Sequence, residues 1–126
     1  MIKVSYAHEH NTVIIEFIDR VDVAQAEQSY LDIQKIVPTC GKGFKILTDF
    51  TLLDRMAFEV QGIIKKSMDF FNQHGVTEIL RVIPDPEQDF GFNILSPFHY
   101  SKEVKFLTLQ SREEAQARLR NEKQNA

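Results

Sequence analysis

Apolar and polar residues alternate from the start of the chain. Ile2, Val4 and Tyr6 interleave with Lys3 and Ser5, and after the polar stretch His8-Glu9-His10-Asn11 a second alternating run extends from Thr12 to Ile18. A period of two sends successive side chains to opposite faces, and two such runs about a short connection predict an antiparallel hairpin. From Asp22 the period lengthens: Val23, Ala26, Tyr30, Ile33 and Val37 form a helical stripe, with Asp22 and Gln25 spaced as a capping box and Pro38 as the stop. The turn-rich connector Thr39-Cys40-Gly41-Lys42-Gly43 leads into a third strand, Phe44 to Asp49. An acidic loop carrying Asp49, Asp54 and Arg55 comes next. Beyond it Met56, Val60, Ile63, Ile64, Ser67 and Phe71 mark the inner side of a second helix, with Gly75 at its C′ position.

Glu78 to Ile83 reads as a fourth strand, broken by Pro84-Asp85-Pro86. Asp85 as N-cap, Pro86 at the first helical position and Gln88 three residues after the cap predict a short third helix to about Leu95. Gly91 inside it costs about 1 kcal/mol relative to Ala. Ser96-Pro97 opens a loop, Val104 to Leu109 is the fifth strand, and Ser111-Arg112-Glu113-Glu114 is a capping box opening a last helix to about Arg120. Arg118, Arg120 and Lys123 suit that helix's C-terminal dipole, and residues 121–126 are expected to fray. The predicted fold is α/β, with element order ββαβαβαβα in a single domain over residues 1–120. Its five-stranded sheet is mostly parallel, with an antiparallel first strand at one edge and four helices.

The strand faces differ. Ile2, Val4, Tyr6, Val13, Ile15, Phe17, Phe44, Ile46, Leu80, Val82, Val104 and Phe106 form an apolar set expected to meet the helices. The opposite set mixes Lys3, Ser5, Glu16, Lys45, Arg81 and Lys105 with Ile14, Ile18, Leu47, Ile79, Ile83, Leu107 and Leu109. That second face is too apolar to lie wholly in water, so either a helix of the same chain or a second protein molecule, a homodimer partner included, is expected to cover part of it.

Composition narrows the function classes. The 126 residues suffice for one domain with its own core, and with 43% hydrophobic and 26% charged residues the chain reads as an ordinary globular protein. No apolar run approaches the ~20 residues that span a bilayer, and the N-terminus lacks a signal-peptide pattern, so a cytoplasmic location is expected. A net charge of −3 with a pI near 5.8 argues against nucleic-acid binding, which needs a dense basic surface. Cys40 is the only cysteine, so a disulfide framework is excluded.

The segments Phe44-Lys45-Ile46-Leu47-Thr48-Asp49-Phe50 and Val104-Lys105-Phe106-Leu107-Thr108-Leu109-Gln110-Ser111-Arg112-Glu113-Glu114-Ala115 carry a resemblance. With the succession of elements around them, they resemble the STAS domains, the family of the sporulation anti-sigma-factor antagonists with the SpoIIAA-like fold. The first segment is similar to the family's central strand and its aspartate, the second to its last strand and capped helix. The resemblance implies a small cytoplasmic module that acts by binding. Family members that antagonise anti-sigma factors carry an Asp-Ser-Ser-Gly type segment at the start of the second helix, where a serine is phosphorylated. Here the corresponding region reads Asp54-Arg55-Met56-Ala57-Phe58-Glu59, without a hydroxyl, and Thr51 and Ser67 do not sit at the matching point. A charge switch at that position is therefore not expected.

No complete catalytic set is visible. His8 and His10 would share a strand face and could hold a metal, but a third ligand is missing, and a polar hairpin turn is the better explanation. Asp49, Asp54 and His99 could gather as an acid–base group if the strand ends align, yet acidic loops also cap helices. Cys40 beside Lys42 could have a lowered pKa, but a lone loop cysteine is usually inert, and Gly41-Lys42-Gly43 lacks the layout of a phosphate loop. Neither a metal nor a cofactor is implied. The protein-binding set is Asp49, Asp54, Arg55, Phe58 and Glu59, at the loop and start of the second helix. Phe90, Phe92, Phe98 and Tyr100, four of the chain's thirteen Phe and Tyr residues, crowd around Gly91 and Pro97. They are either core or a spot for an apolar ligand or partner. The expected function is a non-enzymatic regulatory or protein-interaction module, with a carrier or sensor of a small apolar, lipid-like ligand as the alternative.

Overall fold

The structure, a computed structural model, describes residues 1–85 and 103–125, with side chains of the last helix described to residue 121. In chain order come β1 (Ile2–Ala7), a 3-10 turn (His8–His10), β2 (Thr12–Val21), α1 (Val23–Ile36), a second 3-10 turn (Val37–Thr39), β3 (Lys45–Met56), α2 (Val60–Gln73), β4 (Glu78–Val82), β5 (Lys105–Leu109) and α3 (Arg112–Asn125). The helix predicted near residues 86–95 lies outside the described residues, so three of the four expected helices are seen.

Local signals set the helix ends. The Asp22 carboxylate accepts from the Gln25 N–H at 2.8 Å and the Gln25 side chain accepts from the Asp22 N–H at 3.0 Å, which starts α1 with the predicted capping box. Gly75, at φ 87°, takes the left-handed conformation that lets the chain leave α2. At α3 the Ser111 hydroxyl accepts from the Glu114 N–H, and the helix continues to Asn125, past the predicted end at Arg120.

The sheet has the order β1-β2-β3-β4-β5, with β1 antiparallel to β2 and every other pair parallel. Connections that step in one direction with one hand put their helices on one side. Accordingly Ala26 and Ile33 of α1 and Val60, Ile63 and Phe71 of α2 pack on Val13, Ile15, Phe17, Ile46, Phe50 and Ile79. On the other side Ala115 and Leu119 of α3 cover Leu47, Leu80 and Val82. The mixed face is thus covered in part by a helix of the same chain. One assignment is reversed: Ile46 pairs with Ile79 and Leu47 with Leu80, so Ile79 and Ile83 face α1 and α2 while Leu80 and Val82 face α3. Arg81 likewise turns to the α1/α2 side, its guanidinium 4.8 Å from the centre of the Phe106 ring. All five residues of β4 are buried, and a strand covered on both faces offers no alternation from which to assign them.

A polar helix with two buried anchors needs more than apolar contact to stay in place. Two arginines supply it. Arg118 Nε donates to Glu78 Oε1 at 2.7 Å, and Glu78, at 3% side-chain exposure, also meets Lys45 Nζ at 3.4 Å. At the N-terminal end of α3, Arg112 donates to Asp49 Oδ2 at 3.0 Å and lies 3.7 Å from Glu16. The Arg118 tie predicts an asymmetry. Arg118→Ala removes the closest cation from a buried carboxylate and leaves Lys45 at 3.4 Å, and is expected to cost about 2–4 kcal/mol. Glu78→Ala should cost less, because Arg118 can then turn to water. Urea midpoints at unchanged m-value test this, and equal costs would refute it.

Candidate functional site

Between Asp49 and Val60 the structure departs from the predicted loop. β3 does not stop at Asp49; it runs on to Met56 beside β2, and α2 begins only at Val60. Two register shifts explain why the alternation fails there: Glu16 faces Asp49 but Ile18 faces Leu52, and Asp19 faces Leu53 but Arg20 faces Arg55. Each shift adds a residue to β3 and rotates the strand beyond it, so Phe50, Leu53 and Met56 reach the core at a spacing of three. A strand with that spacing has no period-two signature. Among the described residues β4 pairs with β3 only along Lys45 to Asp49, so the bulged half of β3 projects past it together with β2.

The predicted binding residues divide between two environments. Asp49 is 8% exposed; its Oδ1 accepts from the N–H and hydroxyl of Thr51 while Oδ2 holds Arg112. It therefore fixes the first bulge and α3 from beneath the helix. Asp54, Arg55, Phe58 and Glu59 are exposed at the far end of the ribbon. Phe58 is 78% exposed and Leu52, which the sequence did not single out, is 60% exposed. Phe58 sits on an ordered turn: the Ala57 N–H donates to Val21 O at 3.0 Å, Val60 N–H to Ala57 O at 3.0 Å and Gln61 N–H to Phe58 O at 3.2 Å. The aromatic ring is thus held out from the surface by a backbone pinned to β2. No serine or threonine lies between Asp54 and Glu59.

The other candidates fall differently. Phe90, Phe92, Phe98, His99 and Tyr100 lie outside the described residues. A cavity of about 50 Å³ lies between the sheet and the helices, lined by Ile15, Phe17, Ile33, Ile63, Phe71 and Phe106 among others. It is well short of the roughly 300–1,000 Å³ of sites that hold drug-sized molecules. His8 and His10 sit in a 3-10 turn rather than on a strand, and among the described residues no three His, Cys, Asp or Glu side chains gather as metal ligands.

At Cys40 burial pushes the thiol pKa up, against the alternative in which Lys42 lowers it, and Sγ lies 3.5 Å from the Ile36 carbonyl. A raised pKa leaves less thiolate at neutral pH. Alkylation by iodoacetamide at pH 7.5 should therefore be slower than for a free cysteine and should accelerate at higher pH; a rate equal to the free thiol's would contradict this.

By sequence the chain matches no family profile and no curated protein. By structure it is similar to several solved proteins of one fold. The unphosphorylated form of the anti-sigma factor antagonist SpoIIAA aligns over 95% of this chain and 98% of its own, with a TM-score of 0.66 and 19% identity. An uncharacterised protein of Shewanella loihica with a SpoIIAA-like fold aligns over 94% and 92%, with a TM-score of 0.69 and 12% identity. An anti-sigma factor antagonist of Mycobacterium paratuberculosis aligns over 95% and 93%, with a TM-score of 0.61 and 10% identity. The fold is therefore the STAS or SpoIIAA-like α/β fold, as the sequence resemblance implies. Among the described residues no helix is long and apolar enough to cross a membrane.

Proposed function

We propose that the chain is a non-enzymatic, STAS-like regulatory module of the cytoplasm. It works by binding a protein at the end of the sheet where β3 passes into α2. The observation that carries this reading is Phe58, 78% exposed on a turn whose backbone is hydrogen-bonded at both ends. An aromatic ring held rigidly in water gains from burial without the entropic cost of first ordering its loop, and such anchors dominate protein interfaces. Leu52 adds apolar area on the same ribbon, and Asp54, Arg55 and Glu59 give a charged rim. Two solved proteins of the same fold are anti-sigma factor antagonists, which supports a binding role. A serine-phosphorylation switch is not part of the proposal, because the segment before α2 offers no hydroxyl to modify.

The test places a photo-crosslinking residue at Phe58 and, separately, introduces Phe58→Ala. A defined protein, or a second copy of the chain, should crosslink at that position. Phe58→Ala should weaken its binding by about thirtyfold or more, while thermal stability changes by less than about 0.5 kcal/mol, as for an exposed side chain. Full binding by the Ala variant would refute the reading.

A further inference from the structure

Arg20 and Arg55 lie side by side in the β2–β3 register, and both are exposed. Like charges on adjacent strands repel and weaken the ladder. Neither guanidinium has a hydrogen-bond or ion-pair partner among the described residues. Both residues border an open groove of about 450 Å³ at the C-terminal ends of β2 and β3. Val21, Met56 and Ala57 supply its apolar wall. Asp22 and Gln25 also border it, but each is engaged in the capping box of α1, with Asp22 Oδ1 taken by the Gln25 N–H.

We propose that this groove is a receptor for an oxyanion, a phosphate monoester or a carboxylate, gripped by both guanidinium groups with its adjoining carbon body against Val21, Met56 and Ala57. Arginine's planar fork matches the oxygens of either group, and an anion between the two cations relieves their repulsion. The oxyanion has two possible sources, a small phosphorylated molecule or acidic side chains of the bound protein. The inference deepens the interaction reading at the same end of the sheet, and its test needs no partner protein.

Phenyl phosphate and a pentaglutamate peptide are titrated separately into the whole chain, followed by the amide resonances of Val21 and Ala57. At least one probe should give saturable shifts, weakened about tenfold by Arg20→Gln or by Arg55→Gln and weakened further by added salt. Both variants should keep or raise the thermal midpoint, since each removes a repulsion. Phenyl phosphate binding alone supports the site with a small phosphorylated molecule as source; peptide binding alone supports it with the partner's carboxylates. No saturable shift with either probe, or a shift that survives the double substitution, overturns the proposal. In that case partner binding that still depends on Phe58 leaves the interaction reading standing, whereas a positive titration with no crosslinked partner removes only that reading.

Discussion

The arrangement depends on a pair of arginine–carboxylate ties between the last helix and the sheet. α3 offers only Ala115 and Leu119 as buried apolar residues, and burying a leucine yields about 1.5–3 kcal/mol. Among the described residues Arg112 on Asp49 and Arg118 on Glu78 add one tie at each end of the covered patch. Both carboxylates are buried and both arginines are partly in water, so the charges are desolvated unequally. Such ties specify where a helix sits more surely than they add net stability. They also explain how a face bearing Lys45, Glu16 and Asp49 can serve as the inside of a layer.

Asp49 joins this constraint to the candidate site. One of its oxygens anchors α3 and the other accepts from Thr51 at the first bulge of β3. The bulge and the one after it carry the strand past β4 and deliver Leu52, Arg55 and Phe58 to solvent. Placement of the exposed ribbon and placement of α3 thus run through a single carboxylate, and one of the five residues assigned to binding by sequence is a structural link.

What was legible in the sequence was what is local. The capping box of α1 spans four residues and formed as read, as did the glycine that closes α2, the hairpin and the topology that alternating strands and helices impose. The extension of β3 was hidden because two bulges erase the alternation that identifies a strand. The faces of β4 were hidden because both are apolar and buried, so only the register with β3 decides between them. Arg118 was legible as a helix-dipole residue, yet its partner Glu78 is 40 residues away, and Arg112 is 63 residues from Asp49. No local spacing encodes such pairs. Nor does it encode the meeting of Arg20 with Arg55, which needs both bulges to fall into register.

The sequential strand order has a consequence for biosynthesis. Every strand is laid against the one translated just before it, so the sheet can grow outward from the ribosome without waiting for a distant segment. The exception is α3, which follows β5 and returns to β3 and β4. Among the described residues it is the helix that covers Leu47, Leu80 and Val82, so a nascent sheet carries a greasy flank until that later segment folds back onto it.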